Sequence, residues 1–460
     1  MQSSSAPHVP HPRYGEIEHA LLQRWPEIRL DPSLQRIRAL VDLLGEPQRA
    51  YPVIHLTGTN GKTSTSRMID ALLRSSGLRT GRYTSPHLQS MTERISIDGG
   101  PLTEEQFVAA YDDVQPYLDV VDRSGEHPLS FFETLTGMAF AAFADAPVDA
   151  AVIEVGMGGS WDATNVADGQ VSVVTPVAMD HAAYLGDDVV DIAIEKSGIL
   201  KEGGIGVFAR QSAEVAEVLL RRAAEVGATA LREDVDFAVV SRVPSVGGQL
   251  LTLRGPVREY ADVLLPLHGA HQAHNAAAAV AAVDVFVGGN DLDPDVVREG
   301  LATVTSPGRL EVVRRSPTIV LDGAHNPHGA EATAAAMQEA FAFSPLVAVV
   351  GVMGDKDVDG LLSALEPVIA QIVCTQASTG RALPADELAE YAEGVFGTDR
   401  VHVARRLDDA IDMAAGLAES GDSYGRSMGS GGVLVTGSVI TVGQARTLLG
   451  VAPDTGWETS

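Results

Sequence analysis

YPVIHLT (51–57), GTNGKT (58–63) and STSRMIDALLRSSG (64–77) follow one another without a break. The first is a short apolar run, the second a glycine-rich turn, and the third a helical stretch closed by Gly77. A turn between a strand and a helix points backbone N–H groups and the helix N-terminus at phosphate oxygens. Lys62 in such a loop reaches the β- and γ-phosphates, and Thr63 is placed to ligand Mg²⁺. The loop departs from the usual G-x-x-x-x-G-K-[ST] spacing, because Leu56 stands where the first glycine belongs. The strand before it and the helix after it still make nucleotide binding the expected role.

Further apolar runs lie downstream: DAAVIEV (149–155), VSVVTPV (171–177) and GIGVFA (204–209), several of them separated by helical sequence. This β-α-β order predicts a mostly parallel sheet. Upstream, residues 15–45 read as helix broken by Pro26 and Pro32. Residues 236–268 alternate in short pieces and suggest a small antiparallel insert before an alanine-rich helix at 275–287. SPG (306–308) reads as a hinge. Beyond it TIVLDGA, LVAVVGV, QIVCTQA, RVHVA and GVLVTGS form a second set of strand-like runs. The fold class expected is α/β, with a P-loop-type ATPase domain over 1–306 and a smaller Rossmann-like α/β domain over 307–460.

A chain of 460 residues suits two domains. Its net charge of −28 argues against nucleic-acid or anionic-membrane partners, and an anionic substrate would need local cations to hold it against that field. The single cysteine, Cys374, excludes an internal disulfide or a multi-cysteine zinc site. The polar, proline-rich start and the lack of an 18-residue apolar span predict a cytoplasmic protein, expected to act as a monomer. Only four of the 33 basic residues are lysines, and Lys62, Lys196 and Lys356 sit in glycine- or acid-rich stretches. Arginine replaces lysine where charge alone matters but not where a compact or reactive amine is needed, so these three are functional candidates.

Other candidates lie at strand exits. Glu154 ends AVIEV near the phosphate loop, where a carboxylate can hold Mg²⁺; a strand-capping acid is the plainer alternative. Asp180-His181 follow VSVVTPVAM, and Asp322-Gly323-Ala324-His325-Asn326-Pro327 follow TIVL, at the sheet edge where α/β proteins bind ligands. Lys196, in IEKSGI, reads either as a functional amine or as part of a solvated helix face beside Asp191 and Glu195. His268, His271 and His274 drift around a helix and lack a nearby carboxylate or cysteine, so a metal site is not expected there.

TGTNGKT (57–63), EVGMGG with DATN (154–165), MDH (179–181), EKSGI (195–199), HQAHN (271–275), PGRLE (307–311) and DGAHNP (322–327) together resemble one family. It is the bacterial dihydrofolate synthase/folylpolyglutamate synthase group of the Mur-type ligases, and the likeness runs from about residue 29 to about residue 440 in the family's order. The resemblance implies an ATP-dependent ligase that joins L-glutamate to dihydropteroate, to the glutamate tail of reduced folates, or to both, through an acyl phosphate. Thr59, Asn60, Gly61, Lys62 and Thr63 would then hold the ATP phosphates, and Ser85, Glu154 and His181 would ligand Mg²⁺. Lys196 would be carbamylated. Asn275 would meet the adenine, Arg309 and Asp322 would reach the nucleotide across the interdomain cleft, and Gly323 and His325 would shape the same wall. The pterin pocket would map onto Arg29, Leu30, Asp31 and Pro32, onto Ser130, Phe131, Phe132 and Glu133, and onto Trp161, Asp162 and Ala163. One of the two phenylalanines is expected to serve packing alone. Ser438 would help to bind glutamate. Ser160 stands where many relatives carry Arg, which bears on substrate preference.

Two rival functions fit parts of this pattern. A cell-wall Mur ligase acting on another carboxylate would need a substrate domain ahead of the phosphate loop, for which Lys62 leaves no room. A P-loop switch without ligase activity would not use Arg309 and DGAHNP.

Overall fold

The computed structural model describes residues 11–25, 32–125, 127–180, 182–288, 292–420 and 431–453. The first sheet has eight strands. In spatial order they are Gly100–Pro101, Ile95–Ile97, Thr80–Tyr83, Ala150–Glu154, Val53–Thr57, Gly169–Val174, Ile205–Phe208 and Thr229–Arg232. The six from Thr80–Tyr83 onward are parallel, and the other two form an antiparallel edge. Val53–Thr57 lies centrally with every residue buried, which is why its sequence is almost continuously apolar instead of alternating. The parallel arrangement sends Val53–Thr57, Ala150–Glu154 and Gly169–Val174 out at one edge, so Gly58, Glu154 and Thr175 emerge side by side.

Helix Lys62–Ser75 packs against helix Ala270–Phe286. The second helix is buried around nearly its whole circumference, and its run of alanines suits that setting because small side chains let flanking elements approach closely. It starts five residues earlier than the 275 read from sequence, which places Gln272 and Asn275 in its first two turns.

The insert is a three-stranded antiparallel sheet, Ala238–Ser245, Gly248–Arg254 and Glu259–Leu265. The third sheet holds six strands, in the order Glu311–Arg315, Thr318–Leu321, Gly432–Thr436, Leu346–Val350, Gln371–Cys374 and Val401–Val403. All five runs read beyond the hinge are strands there. Glu311–Arg315 was not anticipated and pairs antiparallel with Thr318–Leu321. No helix among the described residues is long and apolar enough to cross a membrane.

Candidate active site

The phosphate loop owes its shape to two glycines. Gly58 has φ +144° and Gly61 φ +90°. A Cβ on Gly58 would lie 1.9 Å from Thr175 Oγ1, and one on Gly61 would lie 2.6 Å from Asn275 Oδ1. Gly61 caps helix Lys62–Ser75 without a side-chain hydrogen bond, so the N–H groups of the first turn face the cavity with no capping oxygen. Gly58→Ala should therefore displace the loop and lower stability by about 2 kcal/mol or more. Denaturant unfolding checks this, and an unchanged midpoint would contradict it.

Lys62 Nζ donates to the carbonyls of Gly58 at 2.9 Å and Thr59 at 3.2 Å. Lys196 Nζ reaches the same Gly58 oxygen at 3.0 Å from helix Val189–Ser197. Lys196 is 4% exposed, which removes the solvated-face alternative. Burial, with the nearby Lys62 charge second, pushes its amine down to about 7. Burial also lowers the Lys62 ammonium, with Glu154 and Asp180 acting in the opposite direction.

Glu154 is buried at the end of its strand. Oε1 accepts from Thr63 Oγ1 at 2.9 Å, while Oε2 has no hydrogen-bond partner. Burial pushes this carboxyl up to about 7. An orphaned, deeply desolvated carboxylate oxygen beside a threonine hydroxyl is the donor set a hard divalent cation takes. Ser85 lines the same cavity. His181 lies outside the described residues, as do Arg29, Leu30 and Asp31.

The cavity above the loop has a volume of about 420 Å³ and also includes Asn275, Arg309, Asp322, Gly323 and His325 in its wall. Asn275 Nδ2 donates to Gln272 at 3.1 Å. Asp322 faces the cavity, but its carboxylate is committed to its own loop: it accepts from Leu310 N, Ala324 N and Thr333 Oγ1 at 3.0, 3.0 and 2.7 Å. His325 Nδ1 meets the Gly323 carbonyl oxygen at 2.9 Å. Of the three histidines in the H-x-x-H-x-x-H run, His271 and His274 line the cavity and His268 packs on Phe341; His274 pairs there with Glu233, a carboxylate that the sequence reading did not place nearby.

A second cavity of about 370 Å³ adjoins the first, sharing Ser85, Pro86, Gly156, Met157, His325 and Val439 with it. Pro32, Ser130, Phe132, Glu133, Trp161, Asp162, Ala163 and Ser438 line it. Phe131 does not, and this corrects its assignment to the substrate wall. As the first residue of helix Phe131–Asp145 it turns into the core, 7% exposed, with the Arg94 guanidinium 4.9 Å above its ring. Ser130 and Glu133 form a capping box, and Glu133 also pairs with Arg36. Asp162 accepts from the N–H groups of Gly156, Met157 and Thr164 at 3.1, 3.0 and 2.9 Å, so it shapes the wall and has little left for a ligand. Ser438 caps the last helix, accepting from Ile440 N at 3.1 Å.

Contacts between the two halves were beyond sequence reasoning. Asn60 and Asn326 exchange two amide hydrogen bonds, each 3.1 Å. Lys356 Nζ lies 2.6 Å from Asp180, and Asn326 Nδ2 donates to the same carboxylate at 3.1 Å. Lysine scarcity had signalled Lys356; its partner lies 176 residues away in the chain.

Residues 56–283 match the Mur ligase middle domain, and residues 308–438 match the Mur ligase glutamate ligase domain. The dihydrofolate synthase/folylpolyglutamate synthase of Mycobacterium tuberculosis is 52% identical, over 95% of this chain and 94% of that protein. The chain belongs to the dihydrofolate synthase/folylpolyglutamate synthase family of Mur-type ligases. The structure of the Mycobacterium tuberculosis folylpolyglutamate synthase complexed with ADP superposes with a TM-score of 0.92, covering 96% of this chain and 99% of that one at 52% identity. The Escherichia coli FolC structure in complex with DHPP and ADP gives 0.82 at 28% identity, covering 98% and 99%. Like these relatives, the chain is an ATP-dependent ligase with a mostly parallel first sheet and a separate C-terminal α/β unit.

Proposed function

We propose that this ligase joins L-glutamate both to dihydropteroate and to the glutamate tail of reduced folates. The observation that carries the reading is the pair of adjoining cavities with one shared wall. One is floored by a glycine loop and two lysines, and the other is lined by Phe132, Trp161 and basic side chains. An acceptor carboxylate at the shared wall meets the γ-phosphate from one side and the glutamate amine from the other. Its oxygen attacks phosphorus and ADP departs; the amine then attacks the acyl carbon and phosphate leaves. Two anions must be brought together for this, which calls for positioning and cations more than for a protein nucleophile.

Lys62 and the amides of Gly61 and Thr63 hold the phosphates, and Thr59 and Asn60, whose amides donate to the Pro176 carbonyl at 2.9 and 3.4 Å, shape the loop around them. Asn275 and Arg309 take the rest of the nucleotide and Asp322 fixes the loop beneath it. Mg²⁺ would be held by Ser85 and Glu154, together with His181, and would supply charge neutralisation at the phosphate oxygens. The free Oε2 of Glu154 supports this assignment. Lys196, with its amine lowered to about 7, is the group that adds CO₂. Phe132 and Trp161 flank the flat heterocycle, and Ser438 and His325 face the incoming glutamate. Residues 1–306 act as the ATP-binding unit and 307–460 close the cleft.

Purified enzyme with ATP, Mg²⁺ and L-glutamate should give amide product from dihydropteroate and from a tetrahydrofolate monoglutamate, read by mass. Product from one acceptor only would restrict the enzyme to that activity. ATP binding with no product from either would refute the folate assignment.

A further inference from the structure

Basic side chains in the second cavity differ in how firmly they are held. Among the described arginines and lysines of its wall, Arg36 places Nε 3.1 Å from both oxygens of Glu133. Arg94 is 3% exposed, with Nε on His87 at 3.0 Å and its guanidinium over Phe131. Lys356 is 8% exposed and lies 2.6 Å from Asp180. Arg381 is different. It sits at the outer edge of the cavity, its side chain 43% exposed, with one guanidinium nitrogen 3.2 Å from Asp355, itself 40% exposed.

The backbone beneath that pair is fixed. Gly354 N donates to the Arg381 carbonyl at 2.9 Å, and Met353 and Ala382 form an antiparallel bridge. The guanidinium therefore swings from an anchored base. An exposed arginine–aspartate pair contributes little to stability, so exchanging its carboxylate for another one costs little. A guanidinium also accepts a carboxylate through two parallel N–H groups, a geometry that a lysine cannot offer. The chain carries −28 overall, so a substrate that gains a negative charge with every added glutamate needs a cation at the rim.

We infer that Arg381 takes a carboxylate of the acceptor's glutamate tail, leaving Asp355 to do so, and thereby sets the preference for glutamylated acceptors over dihydropteroate. Dihydropteroate has one carboxylate, which must lie at the shared wall beside the phosphate loop, and none remains for the rim. This rests on the folate reading above.

The test is steady-state kinetics with dihydropteroate and with tetrahydrofolate mono- and diglutamate, at saturating ATP and glutamate. Arg381→Gln should raise the ratio of the diglutamate KM to the dihydropteroate KM about tenfold. Asp355→Asn, which releases the guanidinium, should lower that ratio. The diglutamate KM of the unaltered enzyme should climb more steeply with KCl than that of Arg381→Gln. An unchanged ratio in Arg381→Gln would overturn the inference. So would a rise confined to the KM for L-glutamate with dihydropteroate as acceptor, because Arg381 would then serve the incoming amino acid. If the unaltered enzyme extends no tetrahydrofolate, the tail-extension reading fails first, before any variant is made.

Discussion

Lys62→Ala is expected to lower kcat/KM for amide formation by about a thousandfold while the fold remains intact. The ammonium donates to the carbonyls of Gly58 and Thr59, so it lies within the loop proposed to receive the phosphates. As the γ-phosphoryl group transfers, charge builds on its oxygens, where a preorganised buried cation is worth several kcal/mol. Alanine removes that cation and leaves the rest of the cradle. Stability should not suffer, because burial already disfavours the charge on this lysine. Lys62→Arg should recover little, since a planar guanidinium does not fit the space of a compact ammonium. Product by mass and a thermal melt of each variant check both halves; more than a tenth of the original activity in Lys62→Ala would remove the assigned role.

Lys196→Ala should cost a comparable factor, for a different reason. A neutral amine adds CO₂ and a protonated one does not. With the amine at about 7, the reactive fraction grows as pH rises through that value. Activity of CO₂-depleted enzyme should therefore be restored by bicarbonate, more completely at pH 8 than at pH 6. In Lys196→Ala, formate or acetate should return part of the activity by standing in for the carbamate, and failure of both carboxylates and bicarbonate would count against the modification. The same burial predicts a gain in stability. An unfolded lysine holds its proton to about 10.5, so the unfolded chain binds more protons between about 7 and 10.5, and stability rises with pH across that range. The penalty is fully present below about 7 and corresponds to at most about 5 kcal/mol. Lys196→Met should melt higher than the unaltered protein at pH 6, with the difference shrinking toward pH 10. Equal melting temperatures at pH 6 would contradict the burial argument.

The sequence disclosed elements whose cause is local. A glycine loop between an apolar run and a helix is contiguous, and so are the polar turns at strand exits, which is why Lys62, Glu154 and Asp322 could be named as candidates. The strands that escaped notice are short or charged. Thr80–Tyr83 has four residues, one of them Arg82, which is 2% exposed on an interior strand. Its charge is answered by Asp70 at 3.8 Å and Ser96 at 3.1 Å, partners that no periodicity reveals. Glu311–Arg315 carries three charges in five residues because it is an edge strand with a partly solvated face. At the site, sequence could list polar residues but not how their hydrogen-bonding capacity is spent. Asp162 and Asp322 looked like ligand-binding acids, yet their oxygens are largely taken by backbone N–H groups. Phe131 and Phe132, one residue apart on a helix, point in directions about 100° apart, so only one reaches the cavity.

The reciprocal amide pair between Asn60 and Asn326 ties the phosphate loop to the DGAHNP turn of the other half. Any displacement of that loop by a bound phosphate would be passed to that turn, so the two segments share one free-energy linkage. Such linkage is symmetric: whatever factor ATP adds to the affinity for glutamate, glutamate returns to ATP. Two side chains of equal size and no net charge thus make the affinities for nucleotide and glutamate one shared quantity.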